Sequence, residues 1–205
     1  ADMGEAMILQ EQGDKAREWL APGQFDPAQA GRGWRLLGML ERLDGDLIAS
    51  AKAYDRALAL TPNDPQMWVE IGRLRYQGGE HLLALDAADR ALAADPDHPR
   101  ALEFKAQLVR DAEGDAAALP LFEKALATSP NDLLLLGGYA ASLGELGRAS
   151  EMLVVTRKTI AIDPRHPQAF YLQAVLAARA GQTDLARAML NRVGEQLDEI
   201  PAAML

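Results

Sequence analysis

A proline recurs every 34 residues along this chain. Each of these prolines follows a short run rich in alanine, leucine or isoleucine, and together they are Pro62, Pro96, Pro130 and Pro164. A fixed period of this length is the sequence signature of a protein built from stacked copies of one supersecondary unit. Because a single unit of this size cannot bury its own apolar face, the copies must pack against one another.

Other columns keep the same period and predict what one repeat contains. A large apolar residue stands early in each repeat: Trp34, Trp68, Leu102, Leu136 and Phe170. A small residue follows four positions later: Gly38, Gly72, Ala106, Ala140 and Ala174. Apolar residues at helical spacing run from the large residue to a glycine, and then from that glycine to the proline. The pattern therefore predicts two helices per repeat that cross closely at the small residues.

The glycines between the two apolar stripes predict the turn. They are Gly45, Gly79, Gly147 and Gly181, with Gly114 one residue late in its repeat. Glycine adopts the left-handed backbone conformation that commonly ends a helix, so we expect it to stop the first helix of each repeat.

These columns resemble the tetratricopeptide repeat, a 34-residue helix–turn–helix unit with a Trp-Leu-Gly start, later alanine and aromatic columns and a closing proline. The first full repeat matches at Trp34, Leu37, Gly38, Tyr54, Ala57 and Pro62. The resemblance covers about residues 31–200. It implies an all-α fold, a right-handed superhelical solenoid of antiparallel helix pairs.

The period divides the chain into five full repeats within a single solenoid domain. Their ranges are 31–64, 65–98, 99–132, 133–166 and 167–200. Residues 1–30 are expected to form a partial repeat, and residues 201–205 to begin a further one. Terminal repeats usually carry a polar cap, and neither end has one. We therefore expect the natural protein to be longer at both ends, and this chain to self-associate end to end.

Composition excludes several classes of function. The chain has no cysteine, which excludes disulfides, thiolate metal sites and cysteine nucleophiles. Its formal net charge of −9 argues against nucleic acid as a partner. No apolar run reaches the roughly 20 residues of a membrane-spanning helix, so we expect no direct membrane insertion. Neither a cytoplasmic nor an exported location is favoured.

No group of residues predicts catalysis, a metal site or a cofactor. His98 and His166 occupy the same turn position two repeats apart, and His81 begins a second helix. Asp64 and Asp132 precede first helices, where aspartate is a natural N-cap. We therefore expect no catalytic residue, no metal and no cofactor.

The resemblance implies that first helices line a groove in which a peptide or helix binds. Its inward positions are the second, fifth, ninth and twelfth of each repeat. Carried onto this sequence, they give twenty positions, of which ten are candidate binding residues: Arg32, Arg35, Arg42, Arg73, Tyr76, Arg100, Gln107, Arg110, Leu134 and Tyr171. The arginines suit carboxylates or phosphates. The uncharged later repeats suit an apolar helix face.

These residues favour a non-catalytic protein–protein interaction scaffold, whose partner carries acidic residues and an apolar helix face. A different interpretation of the arginines is that they are solvated or paired with acidic second helices of neighbouring repeats. A different interpretation of the whole chain is that it forms the repeat arm of a larger enzyme, such as a transferase. Its catalytic residues would then lie outside residues 1–205.

Overall fold

The computed structural model describes residues 2–10 and 12–198, and within these ranges it contains helices and no strands. The α-helices are α1 (Asp2–Leu9), α2 (Gly13–Leu20), α3 (Ala30–Leu43), α4 (Leu47–Leu60), α5 (Pro65–Gln77), α6 (His81–Ala94), α7 (Pro99–Glu113), α8 (Asp115–Thr128), α9 (Leu133–Glu145), α10 (Ala149–Ile162), α11 (Pro167–Arg179) and α12 (Thr183–Asp198). The predicted all-α class is therefore confirmed.

The chain divides into two compact bodies, Ala1–Leu108 and Val109–Leu205. In the first, here the N-terminal body, α3 packs on α4 and α5 packs on α6. In the second, the C-terminal body, α9 packs on α10 and α11 packs on α12. First helices also contact each other within a body, α3 with α5 and α9 with α11. Helices adjacent in sequence thus form pairs, as the repeat pattern predicts.

Glycine in the left-handed conformation separates the two helices of each pair. The backbone φ angle is +85° at Gly45, +78° at Gly79, +93° at Gly114, +72° at Gly147 and +75° at Gly181. Side-chain-bearing residues rarely adopt this conformation, so the turn requires glycine. The predicted role of this column is confirmed, including at Gly114, which lies one residue late.

The small-residue column lies where aromatic rings press against a helix backbone. A Cβ atom added at Gly38 would lie 2.4 Å from a ring carbon of Tyr54, and one added at Gly72 would lie 2.4 Å from a ring carbon of Phe104. Both rings are buried. Glycine at these two positions thus makes room for a large side chain.

Polar side chains cap the first helices of successive repeats. The carboxylate of Asp64 accepts the backbone N–H of Gln66, and that of Asp132 accepts those of Leu134 and Leu135. The two predicted N-caps are therefore confirmed. Nδ1 of His98 accepts the Ala101 N–H at 3.2 Å, and Nδ1 of His166 accepts the Ala169 N–H at 3.3 Å. The histidines of this column are thus capping residues too.

The described part of the chain contains neither a membrane-spanning helix nor a group of side chains that could hold a metal ion. None of its helices is long and apolar enough to cross a membrane. Its histidine, aspartate and glutamate side chains form no cluster that could hold a metal ion. The further repeat expected at residues 201–205, on which the end-to-end association rests, lies outside the described residues.

Candidate functional site

Seven of the ten candidate binding residues lie in the N-terminal body, and the arginines at its start contact carboxylates. Nη1 of Arg32 lies 3.0 Å from Oδ1 of Asp2, and the same guanidinium contacts Glu5. Nε of Arg35 lies 3.7 Å from Oδ2 of Asp64. Both arginines therefore face acidic groups from α1 or from the turn before α5.

Arg42 reaches a buried carboxylate. Its Nη2 lies 3.5 Å from Oε2 of Glu70, a side chain that is 3% exposed. The Tyr54 hydroxyl donates to the same carboxylate at 3.3 Å, and Nε2 of Gln66 donates to it at 3.0 Å. Burial raises the pKa of the Tyr54 hydroxyl, with the charge of Glu70 adding to the effect, so the hydroxyl stays protonated and donating.

Arg73 and Tyr76 lie one turn apart on α5, and both side chains contact neighbouring helices. Nη2 of Arg73 lies 3.0 Å from Oε2 of Glu103 on α7. Tyr76 packs against the buried cluster that contains Phe104, and its ring meets that of His81 edge to face, with centroids 5.2 Å apart. These side chains therefore stabilise neighbouring helices as well as lining a surface.

The remaining candidates differ in their surroundings. Arg100 and Gln107 lie on α7 in the N-terminal body and are half-buried. Arg110 lies in the C-terminal body, with its Nε 3.7 Å from Oδ1 of Asp111. Leu134 and Tyr171 also lie in the C-terminal body and are exposed.

The four candidate arginines of α3 and α5 each contact a carboxylate, so the surface that they form carries both charges. Their carboxylate partners belong to first helices or to the turn before one, not to the second helices named in the alternative interpretation. Sequence reasoning missed Glu70 as the central acid because it stands outside the four inward columns. The pairs are separated by 27 to 30 residues, and an acid at that spacing from each arginine was the signal that could have found them.

An uncharged strip crosses α9 and α11 in the C-terminal body. Leu134 is 50% exposed and Tyr171 is 51% exposed. Between them, a Cβ atom added at Gly137 would lie 2.4 Å from Oε1 of Gln168, so that amide rests on the bare backbone of α9. Leu134 and Gly137 are three residues apart on one helix, as are Gln168 and Tyr171 on the other, so each pair shares a helix face. We call these four residues the uncharged strip.

The helix pairs, their 34-residue period and the contacts between first helices define a helical repeat protein. Residues 69–132 match the family described as tetratricopeptide repeat. The chain has the tetratricopeptide repeat fold, as the sequence predicts. None of the curated protein sequences compared with the chain matches it.

Solved structures share this fold at low sequence identity. The APC/C hetero-tetramer Cut9–Hcn1 aligns with a TM-score of 0.81 and 14% identity over 98% of this chain and 40% of that chain. MamA from Desulfovibrio magneticus RS-1 aligns with a TM-score of 0.65 and 16% identity over 84% of this chain and 97% of that chain. YrrB, described as a TPR protein with an unusual peptide-binding site, aligns with a TM-score of 0.59 and 21% identity over 84% of this chain and 89% of that chain. The chain spans less than half the length of the Cut9–Hcn1 chain that it matches.

Proposed function

We propose that the chain is a non-catalytic protein–protein interaction scaffold that binds a peptide or an amphipathic helix on its first helices. The observation that carries the proposal is the uncharged strip, which presents two large exposed side chains, Leu134 and Tyr171. YrrB, which shares the fold, is described as having a peptide-binding site, and this supports the proposal.

The strip fits the apolar face of a helix. An amphipathic helix docks through anchors at positions i, i+3, i+4 and i+7. Leu134 and Tyr171 would contact two such anchors. Between them the amide of Gln168 covers the backbone of Gly137, so the surface offered to the ligand there is polar but uncharged.

The arginine face, formed by Arg32, Arg35, Arg42 and Arg73, supports a different kind of contact, one with acidic residues. Because Arg73 is paired with Glu103, an acidic ligand must compete with that carboxylate for the guanidinium. Such an exchange gives a modest affinity that falls as salt rises. We propose that acidic residues of a ligand bind there, and that the uncharged strip binds an apolar helix face.

The first experiment tests the strip. Helical peptides of about 20 residues are selected on the parent chain by phage display, and their affinity is then measured by fluorescence anisotropy. The variant Leu134→Asp/Tyr171→Asp places two charges in the strip. The matched control Val154→Asp/Ile162→Asp places two charges on exposed apolar positions of α10. Circular dichroism confirms that all three chains keep the same helix content.

We expect the strip variant to lose at least about 10-fold in affinity, because central apolar anchors carry most of the binding energy. The control should stay within about twofold of the parent. An equal loss in both variants would remove the strip as the binding surface, and a selection that yields no peptide would contradict the scaffold itself.

A second experiment tests the arginine face. Glu103→Gln frees Arg73 from its carboxylate, whereas Arg73→Gln removes the cation. A labelled peptide that contains four consecutive glutamates should bind the first variant more tightly than the parent, and the second more weakly. Opposite or equal effects would show that acidic ligands do not use this arginine.

A further inference from the structure

A pocket of about 260 Å³ opens between α10, α11 and α12 of the C-terminal body. Its lining is mostly apolar and includes Leu153, Arg157, Leu176, Ala177, Leu185 and Met189. Arg157 is the one charged side chain among the described residues that line it. The pocket lies beside second helices and shares no residue with the uncharged strip.

Arg157 differs from every other arginine in the described part of the chain. Each of the others contacts a carboxylate, a backbone carbonyl, an aromatic ring or another polar group. Among the side chains that the structure describes, Arg157 contacts none of these. An exposed guanidinium at the mouth of an apolar pocket is therefore left available to an anion from outside.

The repeat period shows that this arrangement is particular to one place. The residues 34, 68 and 102 positions before Arg157 are all acidic: Glu123, Asp89 and Asp55. Two of these acids, which lie on second helices, form a polar contact with the first helix of the next repeat. Oδ1 of Asp89 accepts from Nζ of Lys105 at 2.6 Å, and Oε1 of Glu123 accepts from the Tyr139 hydroxyl at 3.0 Å.

At Arg157 the charge is reversed and that bridge is missing. The residue in the place of Lys105 and Tyr139 is Gln173, and its Nε2 donates to the Thr156 hydroxyl at 3.1 Å. The N-terminal body has an equivalent pocket beside Asp55, with a volume of about 150 Å³. Arg75 lines that pocket at the repeat position that Ala177 occupies in this one. The shorter side chain at this position thus accompanies the larger opening; the bridge is absent from both pockets, because Ile71 stands in the place of Gln173 beside Asp55.

We propose that this pocket binds the C-terminal residue of a partner polypeptide. An apolar last side chain would enter between Leu153, Leu176 and Met189, and its α-carboxylate would meet Arg157. A planar guanidinium binds a carboxylate through two parallel hydrogen bonds, which suits this pairing. The volume is below the roughly 300–1,000 Å³ of pockets that bury a drug-sized ligand, so it fits one side chain rather than a whole small molecule.

A chain end fits this pocket better than an internal segment of a chain. Most of the wall is helix, whose backbone groups are already bonded within the helix, and Gln173 is already bonded to Thr156. The turn residue Gln182 adds one further amide, so an extended segment that crossed the pocket would bury most of its own N–H and C=O groups without partners. A terminal residue inserts its side chain and brings its negative charge on the same residue, leaving the rest of the peptide in solvent.

The test uses a fluorescein-labelled hexapeptide that ends in leucine, with a free carboxylate or a C-terminal amide. Anisotropy is measured at low salt with the parent chain, Arg157→Gln, Ala177→Leu and the control Arg187→Gln. Arg187 is an exposed arginine of α12 outside the pocket, so its substitution changes the net charge equally. Ala177→Leu fills the pocket with the residue that stands 34 positions earlier, Leu143, and thermal melting checks that each variant is folded.

We expect Arg157→Gln to weaken binding of the free-carboxylate peptide at least about 10-fold, because charged hydrogen bonds are the strong ones. Amidation of the peptide should weaken its binding to the parent by the same factor, and should not weaken its binding to Arg157→Gln any further. Ala177→Leu should weaken both peptides' binding, and Arg187→Gln should have less than a twofold effect. Equal binding of the acid and the amide, equal effects of the two arginine variants, or no binding to the parent would overturn the proposal. Each of these results leaves the uncharged strip untouched, so the two proposals fail separately.

Discussion

The guanidinium carbon of Arg90 lies 4.8 Å from the centroid of the Trp68 ring, so the cation covers the indole face. The indole N–H of Trp68 in turn donates to the carbonyl oxygen of Pro62, at 3.0 Å. One tryptophan therefore ties the closing proline of the previous repeat to the second helix of its own repeat. A cation over an aromatic face contributes about 0.5–1 kcal/mol at exposed sites.

The same relationship varies systematically along the repeats. A basic residue stands 22 positions after each large apolar residue: Arg56, Arg90, Lys124, Lys158 and Arg192. It is arginine where the large residue is aromatic and lysine where that residue is leucine. Arg56 covers Trp34 at 4.3 Å, and Arg192 covers Phe170 at 5.0 Å. Lys158 instead donates to the carbonyl of Pro130, which is the equivalent of Pro62.

This substitution pattern predicts a rescue. Trp68→Leu should destabilise the N-terminal body by about 2 kcal/mol, because it removes buried apolar area and leaves the Pro62 carbonyl without its donor. Adding Arg90→Lys should recover at least about 0.5 kcal/mol, since lysine can reach that carbonyl as Lys158 reaches Pro130. The free energy of unfolding is measured by urea denaturation.

The control for this rescue is Arg90→Lys alone. That variant should be slightly less stable than the parent, because lysine stacks on the indole less well than arginine. Strictly additive effects of the two substitutions would mean that Trp68 and Arg90 do not act together.

Period and spacing predicted the features that depend on backbone geometry. The turn glycines, the aspartate caps and the small-residue crossings follow from what each local conformation permits. Periodicity also placed Leu134 and Tyr171 on first helices, where the structure leaves both exposed. Each of these features depends on one position within a repeat, and the same residue type recurs at that position in several repeats.

The pairing of side chains was harder to predict because it depends on two repeats at once. The sequence made Arg42 and Arg73 candidate binding residues, with pairing to acidic second helices as the alternative, whereas the structure pairs them with Glu70 and Glu103 of first helices. Their partners lie about 30 residues away, across the contact between first helices. The charge reversal at Arg157 was visible in the sequence, yet its consequence needed the pocket geometry. A comparison of columns between repeats, rather than within one, contains this information.

The buried carboxylate of Glu70 predicts a second outcome. Glu70→Leu should cost about 3 kcal/mol of stability, because it leaves the Arg42 guanidinium, whose side chain is 12% exposed, without its counter-charge. The double variant Arg42→Met/Glu70→Leu should return to within about 1 kcal/mol of the parent, since apolar residues of similar volume replace the pair. Urea denaturation of the three chains decides the matter. A double variant no more stable than Glu70→Leu would show that Tyr54 and Gln66, not Arg42, depend on the carboxylate.

The contact between Gly72 and Phe104 predicts a steric effect. Gly72→Ala should destabilise the chain by about 1–3 kcal/mol, because the buried ring must move away from the new methyl group. This exceeds the gain of about 1 kcal/mol that alanine usually brings inside a helix. Adding Phe104→Leu should relieve part of the clash.

Gly194 provides the matched control for this effect. It is also helical, and none of the described side chains lies within 4 Å of a Cβ atom added there. Gly194→Ala should therefore stabilise the chain by about 0.5–1 kcal/mol. If both substitutions changed the unfolding free energy in the same direction, the ring contact at Gly72 would not limit the size of that residue.

The cap formed by His98 predicts a dependence on pH. Burial lowers the pKa of His98, and the charge of Arg100 lowers it further, against the opposite effects of Asp95 and Asp64. The unfolded chain, in which histidine titrates near pH 6.5, therefore binds a proton before the folded chain does. The contribution of His98 to stability is complete above about pH 6.5 and is lost as the pH falls from there through the folded-state pKa. Protonation also removes the Nδ1 lone pair that accepts the Ala101 N–H.

The variant His98→Asn separates this effect from the other titrations, because asparagine caps a helix without changing charge. We expect the parent to lose stability relative to His98→Asn between about pH 7 and pH 5, with little difference in slope above pH 7. Thermal melts of both chains across this range measure the difference, and NMR titration of the His98 ring gives the pKa directly. A parallel loss in both chains, or a ring pKa above 6.5, would mean that the neutral histidine is not what the cap requires. The cap lies between α6 and α7, so a loss that follows His98 would place an acid-sensitive point of the N-terminal body at that turn.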